Sequence, residues 1–283
     1  MKILVCGDVV GRSGRNVVCD KIPALRKALD LDFVVVNGEN AAGGFGITGE
    51  ICQSFYAAGV DCITTGNHVW DQRETLSYIV RDPKLLRPHN FPSGTPGRGV
   101  GVFESKRGKR VVVLHAMARL FMDALDCPFV CLDQQLAVHK LGRNADLILV
   151  DIHGEATSEK AAVGHFCDAR VSAVVGTHSH IPTADAQILA GGTAYQTDLG
   201  MCGDYDSVIG MKKDAAVARF VTKLRSERLN AADGEATLCA AYIETDERTG
   251  LACHVAPLRL GGRLQPHWPL PAPSGGLKIP KLA

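Results

Sequence analysis

Hydrophobic positions along this chain fall in short, β-branched runs, and five of those runs stop abruptly at polar clusters. Ile3-Leu4-Val5-Cys6 ends in Gly7-Asp8, and Phe33-Val34-Val35-Val36 ends in Asn37-Gly38-Glu39-Asn40. Cys62-Ile63-Thr64-Thr65 ends in Gly66-Asn67-His68. The run from Leu147 to Ile152 ends in His153, and that from Val171 to Val175 ends in Gly176-Thr177-His178-Ser179-His180. Such runs read as buried strands. In open α/β sheets, ligands bind in the crevice beyond the carboxyl ends of the strands. Five ends bearing carboxylates, amides and imidazoles therefore predict one polar crevice.

Helical patterns separate the runs. One spans about Arg15 to Leu29; a second, capped by Thr48, runs to about Ala58 and stops at Gly59. Asp71 and Glu74 have the spacing of a capping box opening a third helix to about Val80. This β-α-β-α-β-α order implies a parallel sheet with right-handed crossovers. A proline-punctuated loop follows, then a hairpin of Gly99–Ser105 and Arg110–His115, an irregular flap over Met117–Val130 and a helix from about Leu132 to Leu141. Ala156–Lys160 opens another helix, Gly191–Gly210 reads as a glycine-rich loop, and a short helix spans about Asp214 to Leu224. Two last strands, Thr237–Thr245 and Ala252–Leu260, precede a surface tail from Gly261. The pattern predicts an α/β fold: a four-layer α/β/β/α sandwich, a mostly parallel sheet facing a mixed one. Residues 1–283 are expected to form a single domain, with the tail from about residue 261 peripheral.

Composition narrows the class. With 31 basic and 30 acidic residues, nothing suggests a broad nucleic-acid or membrane footprint. The N-terminal apolar run breaks at Gly7-Asp8, too soon for a secretory signal, so a cytoplasmic location is expected. Ten scattered cysteines without Cys-x-x-Cys read as reduced, packed thiols.

Gly7–Gly14 invites a phosphate-loop reading, but its spacing fits neither Gly-x-Gly-x-x-Gly nor the Walker lysine motif. Asp8 would repel phosphate there unless a metal stood between them. The candidate ligands are Asp8, Glu39, Asn40, Asn67, His153, His178 and His180. Carboxylates, amide oxygens and imidazoles without thiolates suit iron or manganese first, zinc or magnesium next. A shared carboxylate can hold two divalent ions ~3.5–4 Å apart, a pair able to clamp a phosphate.

The motif order Gly7-Asp8, Gly38-Glu39-Asn40, Gly66-Asn67-His68, His153 and Gly176-Thr177-His178-Ser179-His180 resembles the calcineurin-like metallophosphoesterase superfamily. Gly-Asp-Val-Val-Gly, Asn-Gly-Glu-Asn-Ala-Ala and Glu-Ala-Thr-Ser-Glu-Lys narrow the resemblance to the YmdB-type branch of bacterial phosphodiesterases, over residues 1 to about 220. Two positions depart from the wider superfamily: its Asp-x-His opening is Asp8-Val9-Val10, and Glu39 replaces its bridging Asp. The resemblance implies one ion on Asp8, Glu39, Asn40 and His180, and another on Glu39, Asn67, His153 and His178. It further implies a metal-bridging hydroxide as nucleophile, His68 as the acid that protonates the leaving oxygen, and cyclic nucleotides, 2′,3′-cyclic above all, as substrates.

Other readings compete. The same site would serve a phosphomonoesterase or nucleotidase, or an RNA substrate, which the balanced charge disfavours; a metal-binding regulatory or scaffold protein is a different class again. The hairpin and proline loop offer a surface for self-association. His89, His115, His139, His165, His254 and His267 are taken as ordinary packed or surface residues. Tyr195, Thr197 and Arg12 read equally as substrate contacts or packing, and Glu155 and Glu159 as supports of the His153 loop.

Overall fold

A computed structural model describes residues 1–224 and 228–270. The first sheet has the strand order β13-β12-β11-β1-β2-β3-β4. Its parallel centre is β1 (Lys2–Val10), β2 (Phe33–Asn40), β3 (Cys62–Thr64) and the short β4 (Leu85–Leu86). Its other margin is β11 (Met201–Asp204), β12 (Ala236–Thr245) and β13 (Ala252–Leu260). The second sheet runs β5-β6-β7-β8-β10-β9. Its parallel core is β6 (Arg110–Met117), β7 (Leu147–His153), β8 (Ala173–Thr177) and β10 (Ala194–Gln196), with antiparallel edges β5 (Val100–Glu104) and β9 (Gln187–Ile188). Both sheets are thus mixed, because the closing β12–β13 hairpin joins the first one antiparallel.

Alternation along the strands builds the layers. Leu4, Val34 and Val36 face outward onto Val18, Ile22 and Leu25 of α1 (Gly11–Ala28) and Phe55 of α2 (Gly49–Ala57). Ile3, Val5, Phe33 and Val35 face inward onto Val111, Val113, Leu147 and Leu149 of the second sheet. The far side of that sheet, Val112, Leu114, Ile148 and Val150, packs on Leu132 and Leu136 of α4 (Pro128–Val138) and Val163 of α5 (Thr157–Cys167). Each such buried aliphatic contributes about 1.5–3 kcal/mol. Three apolar seams between four layers make the expected α/β/β/α sandwich. No described helix is long and apolar enough to cross a membrane.

Several boundaries differ from the pattern-based expectation. Strands β1 and β2 run on through Asp8 and Asn40, with register shifts between Cys6 and Val10. The Gly11–Gly14 segment is helical rather than loop. Asp71 and Glu74 form no capping box: α3 spans Thr75–Arg81, the Glu74 carboxylate accepts the Gly49 amide at the start of α2, and Asp71 turns to His68. Helix α4 begins four residues before Leu132, shortening the irregular flap. The Gly191–Gly210 loop contains two strands. Between β10 and β11 the chain crosses from one sheet to the other, the Leu199 amide bonding Gly176 O and Gly200 O accepting the Asp8 amide. A Cβ on Gly7 would lie 1.9 Å from that Gly200 oxygen, so close approach here needs glycine. The C-terminal helix α6 is Lys213–Thr222. Of the tail expected to drape on the surface from Gly261, the described part folds back on β13, His267 pairing with Arg259 and Trp268 and Leu270 packing on the outer core, and the rest lies outside the described residues beyond Leu270.

Candidate metal centre

The crossover stitches the carboxyl ends of both sheets into one crevice, and every predicted ligand candidate arrives there. Asp8, Glu39, Asn40 and Asn67 come from the first sheet and its loops; His153, His178 and His180 come from the second. Ligand atoms of Glu39, His153 and His178 lie within 4.8 Å of one another, and so do those of Asp8, Glu39 and His180. Glu39 belongs to both groups. Gly66 makes this possible: a Cβ there would sit 2.0 Å from Glu39 Oε2 and 2.4 Å from His153 Nε2.

Hydrogen bonds at the back of each ring decide which nitrogen faces inward. Thr177 Oγ1 donates to Asp151 Oδ1 at 2.8 Å, so its lone pair accepts the proton of His153 Nδ1 at 2.9 Å. In the neutral ring His153 Nε2 is then a bare lone pair, and it faces Glu39 Oε1, Asn67 Oδ1 and His178 Nδ1, each at 3.1 Å. His180 Nδ1 donates to Ile209 O at 2.7 Å, which turns its Nε2 to Asn40 Oδ1 at 3.2 Å. Asp8 Oδ1 is buried without a hydrogen-bond partner, while Oδ2 accepts the His178 amide at 3.0 Å. Converging acceptors with too few protons repel one another unless a cation lies among them. The donor set therefore fits divalent ions.

Protonation follows the same crowding. Burial pushes the Asp8 carboxyl up to about 7. Burial also opposes ionisation of Glu39, but the His153 ring overrides it and holds the group at about 2. For His153 burial is outweighed by Glu39, lifting it to about 9, and burial together with the charge on His153 lowers His178 to about 3. A bound cation would displace these protons.

His68 stands at the edge of the cluster. Its backbone amide donates to Glu39 Oε2 at 3.3 Å, and its Nδ1 is 2.9 Å from Asp71 Oδ2, leaving Nε2 unengaged. Two of the histidines occupy left-handed backbone, His178 at φ 103° and His180 at φ 65°, which is strained for residues with a Cβ. A fully buried ion pair braces them: Lys160 Nζ reaches Asp198 Oδ2 at 2.8 Å and Thr177 O at 3.2 Å. Asp198 accepts the Ser179 amide at 3.0 Å, so both peptides flanking His178 are pinned.

Asp71, Asp151, Lys160 and Asp198 carry no mark of the site in the sequence, since none ends an apolar run, and Thr177, although it stands in the polar cluster after Val175, is not a typical ligand type. Of the uncertain candidates, Glu155 faces His178 Nε2 at 3.3 Å and Glu159 accepts the amides of Arg119 and Leu120. Tyr195 packs in the outer core, its hydroxyl on Thr197; Arg12 lines a separate cleft beside α1. His115 is buried behind the site, 3.5 Å from Asp151 Oδ2.

The family of YmdB-like proteins matches residues 4–258. This chain belongs to that family. It is 44% identical over 255 residues to a Bacillus subtilis protein described as 2′,3′-cyclic-nucleotide 2′-phosphodiesterase, covering 90% of this chain and 95% of that one. The fold superposes with TM-score 0.86 on a hypothetical protein from Thermus thermophilus, at 40% identity over 93% of this chain and 100% of that one. A Mycoplasma pneumoniae protein described as a novel phosphatase matches with TM-score 0.85 and 31% identity over 92% and 93% of the two chains.

Proposed function

We propose that the chain is a dinuclear-metal phosphodiesterase that opens nucleoside 2′,3′-cyclic phosphates, acting as one domain in the cytoplasm. The observation that carries this reading is the pair of ligand groups sharing Glu39. On this reading Asp8, Glu39, Asn40 and His180 hold one ion, and Glu39, Asn67, His153 and His178 hold the other. The donor set suits iron or manganese. A bound pair of divalent ions activates water and neutralises charge on the phosphate.

The chain's own groups do the rest. Thr177 and Ile209 O hold His153 and His180 with the ligating nitrogen inward. His68, oriented through Nδ1 by Asp71, presents Nε2 to the departing O2′ and carries the proton that makes it a stable hydroxyl. Glu155, more than half exposed at the mouth, opposes a phosphate dianion and so favours diesters over monoesters. Substrate class comes from likeness to the Bacillus protein. Ten free cysteines accord with a reducing compartment.

The test is hydrolysis of 2′,3′-cyclic AMP by manganese-loaded wild type and Glu39→Gln, with metal content of both measured. Release of the 3′-monophosphate by the wild type, lost together with metal in the variant, is expected. A wild type holding two ions yet inert on cyclic and linear diesters overturns the reading.

A further inference from the structure

Beside the histidines lies a cleft of about 330 Å³, one wall of which is apolar: Phe45, Ile209, Met211 and Leu229. Ile209 is its least expected member. Its φ is 45°, in the left-handed region where a β-branched residue is an outlier, and its side chain is 49% exposed. The carbonyl has a task, accepting from His180 Nδ1, but a backbone carbonyl needs no side chain. Glycine would supply the same oxygen without strain. What the strain retains is the isoleucine side chain itself, and that side chain lines the cleft.

Within that wall Phe45 stands edge-on to His68, ring centres 5.1 Å apart at 78°. Its backbone is fixed by Gln72 Nε2, which donates to Phe45 O at 2.7 Å. Met211, almost fully buried, completes the wall. Apart from the ligand candidates, the polar lining residues are His68, Glu155 and Ser179; the first faces Asp71 and the second His178. The wall therefore offers hydrophobic contact and a ring face, not a donor–acceptor pattern for a base edge.

We infer that Phe45 and Ile209 form a nucleobase subsite, packing against the base while the cyclic phosphate lies on the histidine cluster. This rests on the phosphodiesterase reading and extends it. Every base has a π-face, so the subsite accepts purines and pyrimidines alike, and loss of one stacking partner weakens binding by roughly 10–100-fold.

The experiment compares kcat/KM for 2′,3′-cyclic AMP, 2′,3′-cyclic CMP and glycerol 1,2-cyclic phosphate, which keeps the five-membered diester but has no base. Manganese-loaded wild type, Ile209→Gly and Phe45→Ala are used. The ratio of nucleotide to base-free turnover falls at least tenfold in each variant, mainly through KM, while the two nucleotides stay within about threefold of each other. A ratio unchanged in Ile209→Gly overturns the subsite whatever the absolute rates do. If the wild type opens none of the three, the phosphodiesterase reading fails, and equilibrium binding of 2′,3′-cyclic AMP decides the subsite. Tenfold weaker binding to Ile209→Gly than to wild type supports it, and equal binding overturns it.

Discussion

Lys160→Met isolates what the buried ion pair does for the histidine loop. Methionine keeps much of the lysine stem's volume but leaves Asp198 a buried carboxylate with only the Ser179 and Gly200 amides for company. Stranding one partner of a buried pair costs about 3–5 kcal/mol. At about 2–4 °C per kcal/mol for a chain of this size, the metal-free protein melts about 6–20 °C lower. Asp198→Asn strands the lysine instead. In the double variant no charge is left unpaired, so the coupling energy from the cycle is at least about 2 kcal/mol. Manganese affinity behaves differently: Thr177 O has lost its Lys160 donor in Lys160→Met and in the double variant alike, and the strained His178 backbone is held less firmly. Affinity is expected to remain at least tenfold below wild type even where stability recovers. Denaturation followed by circular dichroism in chelator and calorimetric manganese titration read the two effects separately. Single costs below about 1 kcal/mol that simply add would refute the argument from burial.

His68→Ala keeps both ions but loses roughly 10²–10⁴-fold in kcat on an alkyl diester; full activity removes the acid role. Thr177→Val frees His153 Nδ1 and is expected to weaken metal binding about 10–100-fold, against no change if ring orientation is irrelevant. In the metal-free protein Asp8 and His153 are raised to about 7 and 9. Each binds its proton more tightly folded than unfolded, so that stability is present at low pH and lost as pH rises through the folded value. His178, lowered to about 3, offsets Asp8 only below pH 6.5, where the unfolded imidazole is charged. The melting temperature in chelator therefore falls between pH 6.5 and 9, and a rise in that window contradicts the assignment.

The ligand candidates were legible because each closes an apolar run or the loop that follows it, where period and polarity change together. Asp71 was visible but misassigned: three residues before Glu74 it matches a capping box, and only the fold shows that Glu74 serves another helix and Asp71 serves His68. The β10–β11 crossover was hidden by its glycines, which permit close approach between sheets but read locally as loop. Lys160 and Asp198 are 38 residues apart, and Phe45 and Ile209 are farther still. No local pattern reports such pairings; burial of a charge and strain in a β-branched residue do.

The crevice divides its donors by origin, oxygens from one sheet and nitrogens from the other. Ions held there would act as rivets across the central seam, and the unfolded chain, with its donors dispersed from Asp8 to His180, could not compete for them. At free metal a thousandfold above Kd, each site would add about 4 kcal/mol to the folded state. Empty copies would open more often and meet cellular proteases sooner. The amount of this protein in a cell would then follow its metal supply without any separate sensor, idle molecules being cleared while charged ones persist.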